Sequence, residues 1–281
     1  MPADSLRIAT EAYYWKPGKA FFEAVEVEQY AHAGIRFAHA VLDLGCGDGT
    51  FGAMLRSRGV LDGVDIALDY AMKPLSSVHK HTACGLVQAD ARALPLRQMS
   101  TASVLANSTL AGVRGDVERA IVEVSRVLQD QGLLVLSVPT PRFAEELWLP
   151  KLLRKVGAVG MSRRFLARAL QRLGLYTIVE EEEWRQRLEA CQFRIEHVAY
   201  YCTRRHAIWF NLLNLHLMRG FAVVKVIRLR WVKQLSARLQ ESIFRPLVRA
   251  EVCAPKAHTK GQAGMLLILA RKTGAGAHPR G

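Results

Sequence analysis

Residues 41–51 read Val-Leu-Asp-Leu-Gly-Cys-Gly-Asp-Gly-Thr-Phe. An apolar run entering glycines at 45, 47 and 49 predicts a strand that turns sharply into a helix. Glycine there lets bare backbone approach a ligand and admits φ angles that a side chain resists. Asp43 and Asp48 flank the turn, so it suits a cationic ligand better than a phosphate. The spacing G-x-G-x-G also departs from G-x-G-x-x-G, which frees a helix N-terminus for a dinucleotide pyrophosphate. A nicotinamide-dependent dehydrogenase is disfavoured on that ground.

The elements that must carry this turn follow from apolar patterning. Val41–Leu44 reads as a buried strand and Thr50–Ser57 as a helix. Val60–Ile66, Gly85–Ala89 and Ala102–Asn107 read as the second to fourth strands. Asp116–Leu128 places Ala120, Val124, Val127 and Leu128 on one side of a helix, and Leu133–Val138 is a fifth strand. Strands separated by single helices imply a parallel sheet covered on both faces. Arg142–Leu175 is helical in tendency and basic. Glu180–Cys191 reads as a helix facing inward through Trp184, Leu188 and Cys191, Phe193–Cys202 as strand six and Gly264–Ala270 as the last strand.

The eleven-residue string resembles motif I of class I S-adenosylmethionine-dependent methyltransferases (methyltransferase type 11, ubiquinone-biosynthesis-like). Later segments resemble the same family. Asp65-Ile66 stands where the family places an acidic residue on the ribose hydroxyls and an apolar residue against adenine. Asp90-Ala91 follows the third strand, where an acidic residue lies near the adenine amino group, and Ala93-Leu94-Pro95 follows it. Asn107-Ser108 matches the motif ending strand four, usually N-S-x-L-E-H-V, but Ala111 and Gly112 replace its Glu-His pair. Arg126-Val127-Leu128 leads to Gln131-Gly132, where R-V-L-K-P-G-G is usual. The resemblance implies S-adenosylmethionine as cofactor, held by Asp43, Gly45, Cys46, Gly47, Asp65, Ile66, Asp90, Ala91 and Asn107. It implies an α/β, Rossmann-like, seven-stranded and mostly parallel sheet with helices on both faces, and a basic helical insertion before the last strand. The expected layout is an N-terminal helical lid (1–38), a cofactor-binding core (39–140), a helical insertion that completes the sheet (141–202), the basic hydrophobic insertion (203–262), a last strand (263–272) and a disordered tail (273–281).

The formal charge of +14 arises from 39 Lys and Arg against 25 Asp and Glu. Thr203–Lys260 holds twelve basic residues and two acidic ones, Glu241 and Glu251, and so contributes +10. That balance favours an anionic partner. Residues 206–249 mix these cations with Trp209, Phe210, Phe221, Trp231 and Phe244. The mix suits peripheral contact with an anionic membrane or a cover over a lipid-like acceptor; a helical cap or dimer interface fits equally well. Five unpaired-looking cysteines, no run of about 18 apolar residues and no signal-peptide pattern point to a reduced, cytoplasmic protein, peripheral to the inner face of a membrane if docked.

The expected function is methyl transfer to a small-molecule, glycan or lipid-linked acceptor. No residue stands out as the general base; His79, His81, His197, His206 and His216 read as surface or packing groups. Tyr13, Tyr14 and Trp15 precede the expected first helix, in an N-terminal segment that commonly lids the site in the family's fold, and at least two of the three read as packing residues. Nucleic acid is disfavoured as acceptor because Asn107-Ser108-Thr109-Leu110 lacks the D/N-P-P-Y/F clamp used on exocyclic amino groups. No metal-ligand spacing is present. The alternative is a non-catalytic methyltransferase-like protein that binds a partner or an anionic membrane surface.

Overall fold

A computed structural model describes residues 3–71, 83–215, 230–252 and 261–274. Two helices, α1 (Ala3–Ala12) and α2 (Pro17–His32), precede strand β1 (Val41–Leu44). Helix α3 (Thr50–Ser57), β2 (Val64–Asp69), β3 (Ala83–Gln88) and β4 (Thr101–Asn107) follow. A 3₁₀ turn (Leu110–Gly112) leads to α4 (Val117–Val127) and β5 (Leu128–Pro139). Next come α5 (Pro141–Glu145), α6 (Trp148–Lys155), α7 (Val159–Leu173), α8 (Glu181–Ala190) and β6 (Phe193–Tyr201). Helices α9 (Arg204–Leu215) and α10 (Arg230–Val252) precede the last strand, β7 (Met265–Lys272). Residues 1–2, 72–82, 216–229, 253–260 and 275–281 lie outside the described part, and with them His79, His81, His216, Phe221 and most of the expected tail.

The seven strands form one sheet in the order β3-β2-β1-β4-β5-β7-β6. Every neighbouring pair from β3 to β5 is parallel, and β7 runs antiparallel between β5 and β6. The chain reverses its winding between β1 and β4, so a ligand crevice is expected outside their carboxyl ends.

Strand side chains alternate between two cores, as the pleat requires. Val41, Leu105, Val135 and Leu267 face α1, α2, α3 and α10, with Phe21, Val25, Met54 and Phe244. Leu42, Val104, Leu134 and Ile268 face α4 and α8, with Ile121, Val124, Trp184 and Leu188. By the same parity Asp43, Asn107 and Ser137 point to the first of these faces, Asn107 and Ser137 onto Glu26 of α2 and Asp43 toward Gly52 of α3. Helix α4 starts on an Asp116 cap that accepts the Arg119 N–H at 2.9 Å.

Two expectations about boundaries change. The second strand was expected over Val60–Ile66, but Val60 and Leu61 bury in the core as part of the turn after α3, and pairing begins at Val64. The fifth strand begins at Leu128 rather than Leu133. Its turn keeps Gly132 for a steric reason, since a Cβ there would lie 2.8 Å from the Gln129 carbonyl. Gln131, standing in for the other glycine, is held at φ +61°.

Candidate cofactor-binding site

The turn after β1 has the predicted character. Gly45, Gly47 and Gly49 adopt φ of +75°, +56° and +76°. Gly45 is fixed twice over, because a Cβ would lie 2.1 Å from Thr109 Oγ1. That hydroxyl donates to the Leu44 carbonyl at 2.6 Å and so ties the end of β4 to the end of β1. The Gly45 and Cys46 N–H groups donate to the Leu68 carbonyl at 2.7 and 3.1 Å. Gly47 differs: nothing lies within 4 Å of where its Cβ would be, so the turn is open on that side. The Thr50 N–H meets Asp48 Oδ1 at 3.1 Å as α3 begins.

Asp65 and Ile66 do not reach this turn. With β2 starting at Val64, Asp65 lies at the opposite edge of the sheet. Its Oδ2 accepts the Val41 N–H at 2.6 Å and faces His39 Nδ1 at 3.0 Å. Burial works against its charge, but these hydrogen bonds prevail and hold Asp65 below the ordinary carboxylate range. Ile66 pairs with Leu42 and Gly85 in mid-strand. The carboxylate at the end of β2 is Asp69. Its Oδ2 accepts the Gly47 N–H at 3.0 Å and its Oδ1 the Ala71 N–H at 2.8 Å. Tyr70, 74% exposed, follows it.

Asp90 lies just beyond β3 and is held by Arg92 through both oxygens, with Nη2 at 2.6 Å from Oδ2. The Arg92 guanidinium keeps that carboxyl below its usual range. Ala91 is half-buried in the same turn. Asn107 ends β4, its Oδ1 accepting from the Tyr30 hydroxyl at 3.2 Å and its Nδ2 donating to Glu26 at 3.1 Å.

Asn107 thereby enters a buried polar group that the sequence reading missed. Glu26 also accepts the Ser137 hydroxyl at 2.6 Å and the Tyr201 hydroxyl. Burial pushes Glu26 up while the bonds from Ser137, Tyr201 and Asn107 oppose it. One turn earlier, Glu23 is pushed up to about 7 by burial, against the pull of Lys19 Nζ 3.3 Å away. Its Oε2 is buried without a hydrogen-bond partner among the described residues. Asp43 is also pushed up to about 7, by burial and then by the charge of Asp69. Tyr13 reaches in from the turn after α1, its hydroxyl donating to Asp48 Oδ1 at 3.2 Å. The available signal was Glu23 and Glu26, spaced i, i+3 in a helix otherwise filled by Phe, Ala and Val on that side.

Four carboxylates thus lie on the inner side of the glycine turn: Asp43 from the end of β1, Asp48 from the turn itself, Glu23 from α2 beside Asp48, and Glu26 one turn further along α2. Such a set fits a cationic ligand, and the orphaned Glu23 oxygen and the open side of the turn at Gly47 fit one of some size. Asp69 can offer both oxygens to a vicinal diol beside it. Cys46 is buried against the same turn, and burial raises its thiol. Among the described residues, no group of three or more His, Cys, Asp and Glu is arranged to hold a metal ion.

The missing Glu-His pair has a local cause. Ala111 is fully buried, and its carbonyl accepts the Tyr176 and Thr177 N–H groups at 2.8 and 3.0 Å. A Cβ on Gly112 would lie 3.0 Å from the Gly174 carbonyl. The segment after α7 therefore occupies the ground that larger side chains would take. His206 is a packing group, stacked at 5.0 Å on Phe21 and 5.3 Å from Phe22, and burial lowers it to about 3.

Residues 42–136 match the model of a methyltransferase domain family. That segment runs from β1 through most of β5, with the α1–α2 segment before it and the last two strands of the sheet after it. No curated protein matches the chain. Among solved structures it is similar to an S-adenosylmethionine-dependent methyltransferase from Thermotoga maritima (14% identity, TM-score 0.54, 95% of this chain and 100% of that one). It is similar to geranyl diphosphate C-methyltransferase from Streptomyces coelicolor, solved with Mg²⁺, geranyl diphosphate and S-adenosylhomocysteine (12%, TM-score 0.54, 91% and 79%). The [4+2]-cyclase SpnF is also similar (16%, TM-score 0.52, 91% and 81%). Likeness at this level concerns the fold, which houses more than one reaction.

Proposed function

We propose that the protein transfers the methyl group of S-adenosylmethionine to a small-molecule, glycan or lipid-linked acceptor. The observation that carries this reading is the left-handed glycine turn at 45–49, edged by Asp69 and backed by four carboxylates. When bound, S-adenosylmethionine supplies an electrophilic methyl on a cationic sulfur. The chain's part is to hold that charge and to align the acceptor behind the methyl group. In this reading the Gly45–Gly49 backbone, with Asp43, Cys46 and Gly47, cradles the cofactor. Asp69 takes the ribose role first expected of Asp65, and Tyr70 the adenine role expected of Ile66. Asp90 and Ala91 flank the base from the next turn. Asn107 and Tyr201 sit at the carboxyl ends of β4 and β6 and bond Glu26 of α2, where an acceptor would meet the methyl group. There Glu26 can take up a proton that the acceptor releases.

The alternative, a non-catalytic methyltransferase-like protein, draws its support from Ala111 and Gly112. Incubation with methyl-labelled S-adenosylmethionine and fractionated lipid, glycan and small-molecule extracts separates the two. Label in one fraction, lost in Glu26→Gln, supports transfer and names the acceptor class. No label in any fraction, from protein that binds the cofactor, favours the alternative.

A further inference from the structure

The cationic segment singled out by composition is 203–260, yet the structure draws attention to an earlier one. Between Leu147 and Val179 the chain carries Lys151, Arg154, Lys155, Arg163, Arg164, Arg168 and Arg172 and not one acidic residue. Helices α6 and α7 span most of it and pack chiefly against each other. Of their 23 residues only Pro150 and Ser162 are buried. Helices of 8 and 15 residues are marginal in water without an apolar face to bury. Here that face is bare: Leu152 is 47% exposed, Val156 68%, Met161 53% and Phe165 41%. Leu152 and Val156 continue a row one turn apart that begins at Trp148, and Met161 and Phe165 form another.

At the base of the pair lies an open cavity of about 510 Å³, lined by Arg142, Lys151, Arg154, Lys155 and Arg204 together with Glu145 and Glu146. The two carboxylates meet Arg142 and Lys151 at 2.6–3.1 Å. Five cations less two anions leave a net +3 around the cavity, centred on Arg154, Lys155 and Arg204.

We propose that α6 and α7 form a docking surface for an anionic phospholipid bilayer, with the cavity receiving lipid phosphate. Bare apolar rows beside unopposed cations suit an interfacial helix whose apolar side enters the headgroup region while its cations meet anionic lipid. A second copy of this chain would set the same seven cations against each other. Among the described residues no helix is long and apolar enough to cross a membrane, so the contact is peripheral. The pair leaves the carboxyl end of β5 through α5, on the edge of the sheet that carries the glycine turn. The proposal stands apart from the methyl-transfer reading and would hold for a non-catalytic protein.

The test is flotation of the full chain with phosphatidylcholine vesicles, with and without phosphatidylserine. Each cation near an anionic surface is worth about fivefold in partitioning. The wild type should float with the anionic vesicles, less so at high salt, and not with the neutral ones. Arg154→Glu/Lys155→Glu should lose at least about 25-fold, and Leu152→Glu/Phe165→Glu should release the protein while leaving its thermal midpoint in place. Helix α10 also exposes a row, Trp231, Leu235, Leu239 and Ile243, and Leu235→Glu/Leu239→Glu serves as the counter-variant. No flotation of the wild type at low salt would overturn the proposal. So would equal binding to neutral vesicles, loss of binding in the α10 variant alone, or a dimer that Leu152→Glu/Phe165→Glu splits.

Discussion

Binding of S-adenosylmethionine should weaken steeply as the pH falls from 7 to 6. Glu23 and Asp43 are both pushed up to about 7, chiefly by burial, so in the free protein each is half protonated near neutrality. A cation brought beside them favours the ionised form and lowers both values, so protons compete with the cofactor. For one such group, lowering the pH from 7 to 6 raises the proton-binding factor from about 2 to about 11, a loss of about fivefold in affinity. If both respond, the loss is about thirtyfold, near 2 kcal/mol, with about one proton released per cofactor bound at pH 7. The cofactor's own ammonium titrates higher, near the α-amino range of about 8, and contributes little in this window. Titration calorimetry at pH 6, 6.5 and 7, in two buffers of different ionisation enthalpy, measures both quantities. Glu23→Gln should keep only the fivefold share due to Asp43. An affinity constant within twofold across this window, with no proton exchanged, would refute the argument that the buried carboxylates receive the cofactor's charge.

Three further outcomes follow from named contacts. Gly45→Ala must strain a left-handed position and displace the Thr109 hydroxyl from the Leu44 carbonyl, and should cost about 2–4 kcal/mol in urea unfolding; a cost below about 1 kcal/mol would contradict the close contact. Gln131→Gly relieves the positive φ of an exposed side chain and should raise stability by about 0.5–1 kcal/mol, against no change if the turn differs. His206 is neutral in the folded protein because burial lowers it to about 3, so the unfolded chain takes up the extra proton below about 6.5 and stability falls with pH. Between pH 6.5 and 5 this group alone should remove about 2 kcal/mol. His206→Phe should gain that much on the wild type over the same interval, and parallel curves for the two proteins would contradict the assignment.

The glycine turn was legible because residue type and spacing act there within a few residues: a buried strand, positive-φ positions and flanking acids. The sheet order was legible in class, since single helices between short apolar strands leave few ways to wind. The register of β2 was not. Residues 60–69 hold Val60, Leu61, Val64, Ile66 and Leu68 with Asp65 and Asp69 four apart, so either carboxylate could end the strand. The choice rests on Val60 and Leu61 entering the core through the turn, a tertiary preference that local pattern does not reveal. Glu23 and Glu26 were missed for a similar reason. Their partners Ser137 and Tyr201 lie 111 and 175 residues from Glu26, and only the folded sheet brings them under α2. The apolar rows of α6 and α7 were readable as helical tendency, but their exposure depends on what fails to pack against them.

The central claim is that S-adenosylmethionine binds at the 45–49 turn with Asp69 as its ribose carboxylate. Calorimetry on the wild type, Asp69→Asn and Asp65→Asn tests it most directly. The account predicts wild-type binding that Asp69→Asn weakens by about 1.5–3 kcal/mol, the range for hydrogen bonds to a charged group, while Asp65→Asn binds as the wild type does and shows its effect in stability. Absence of binding by a folded wild type, or a loss confined to Asp65→Asn, would contradict it.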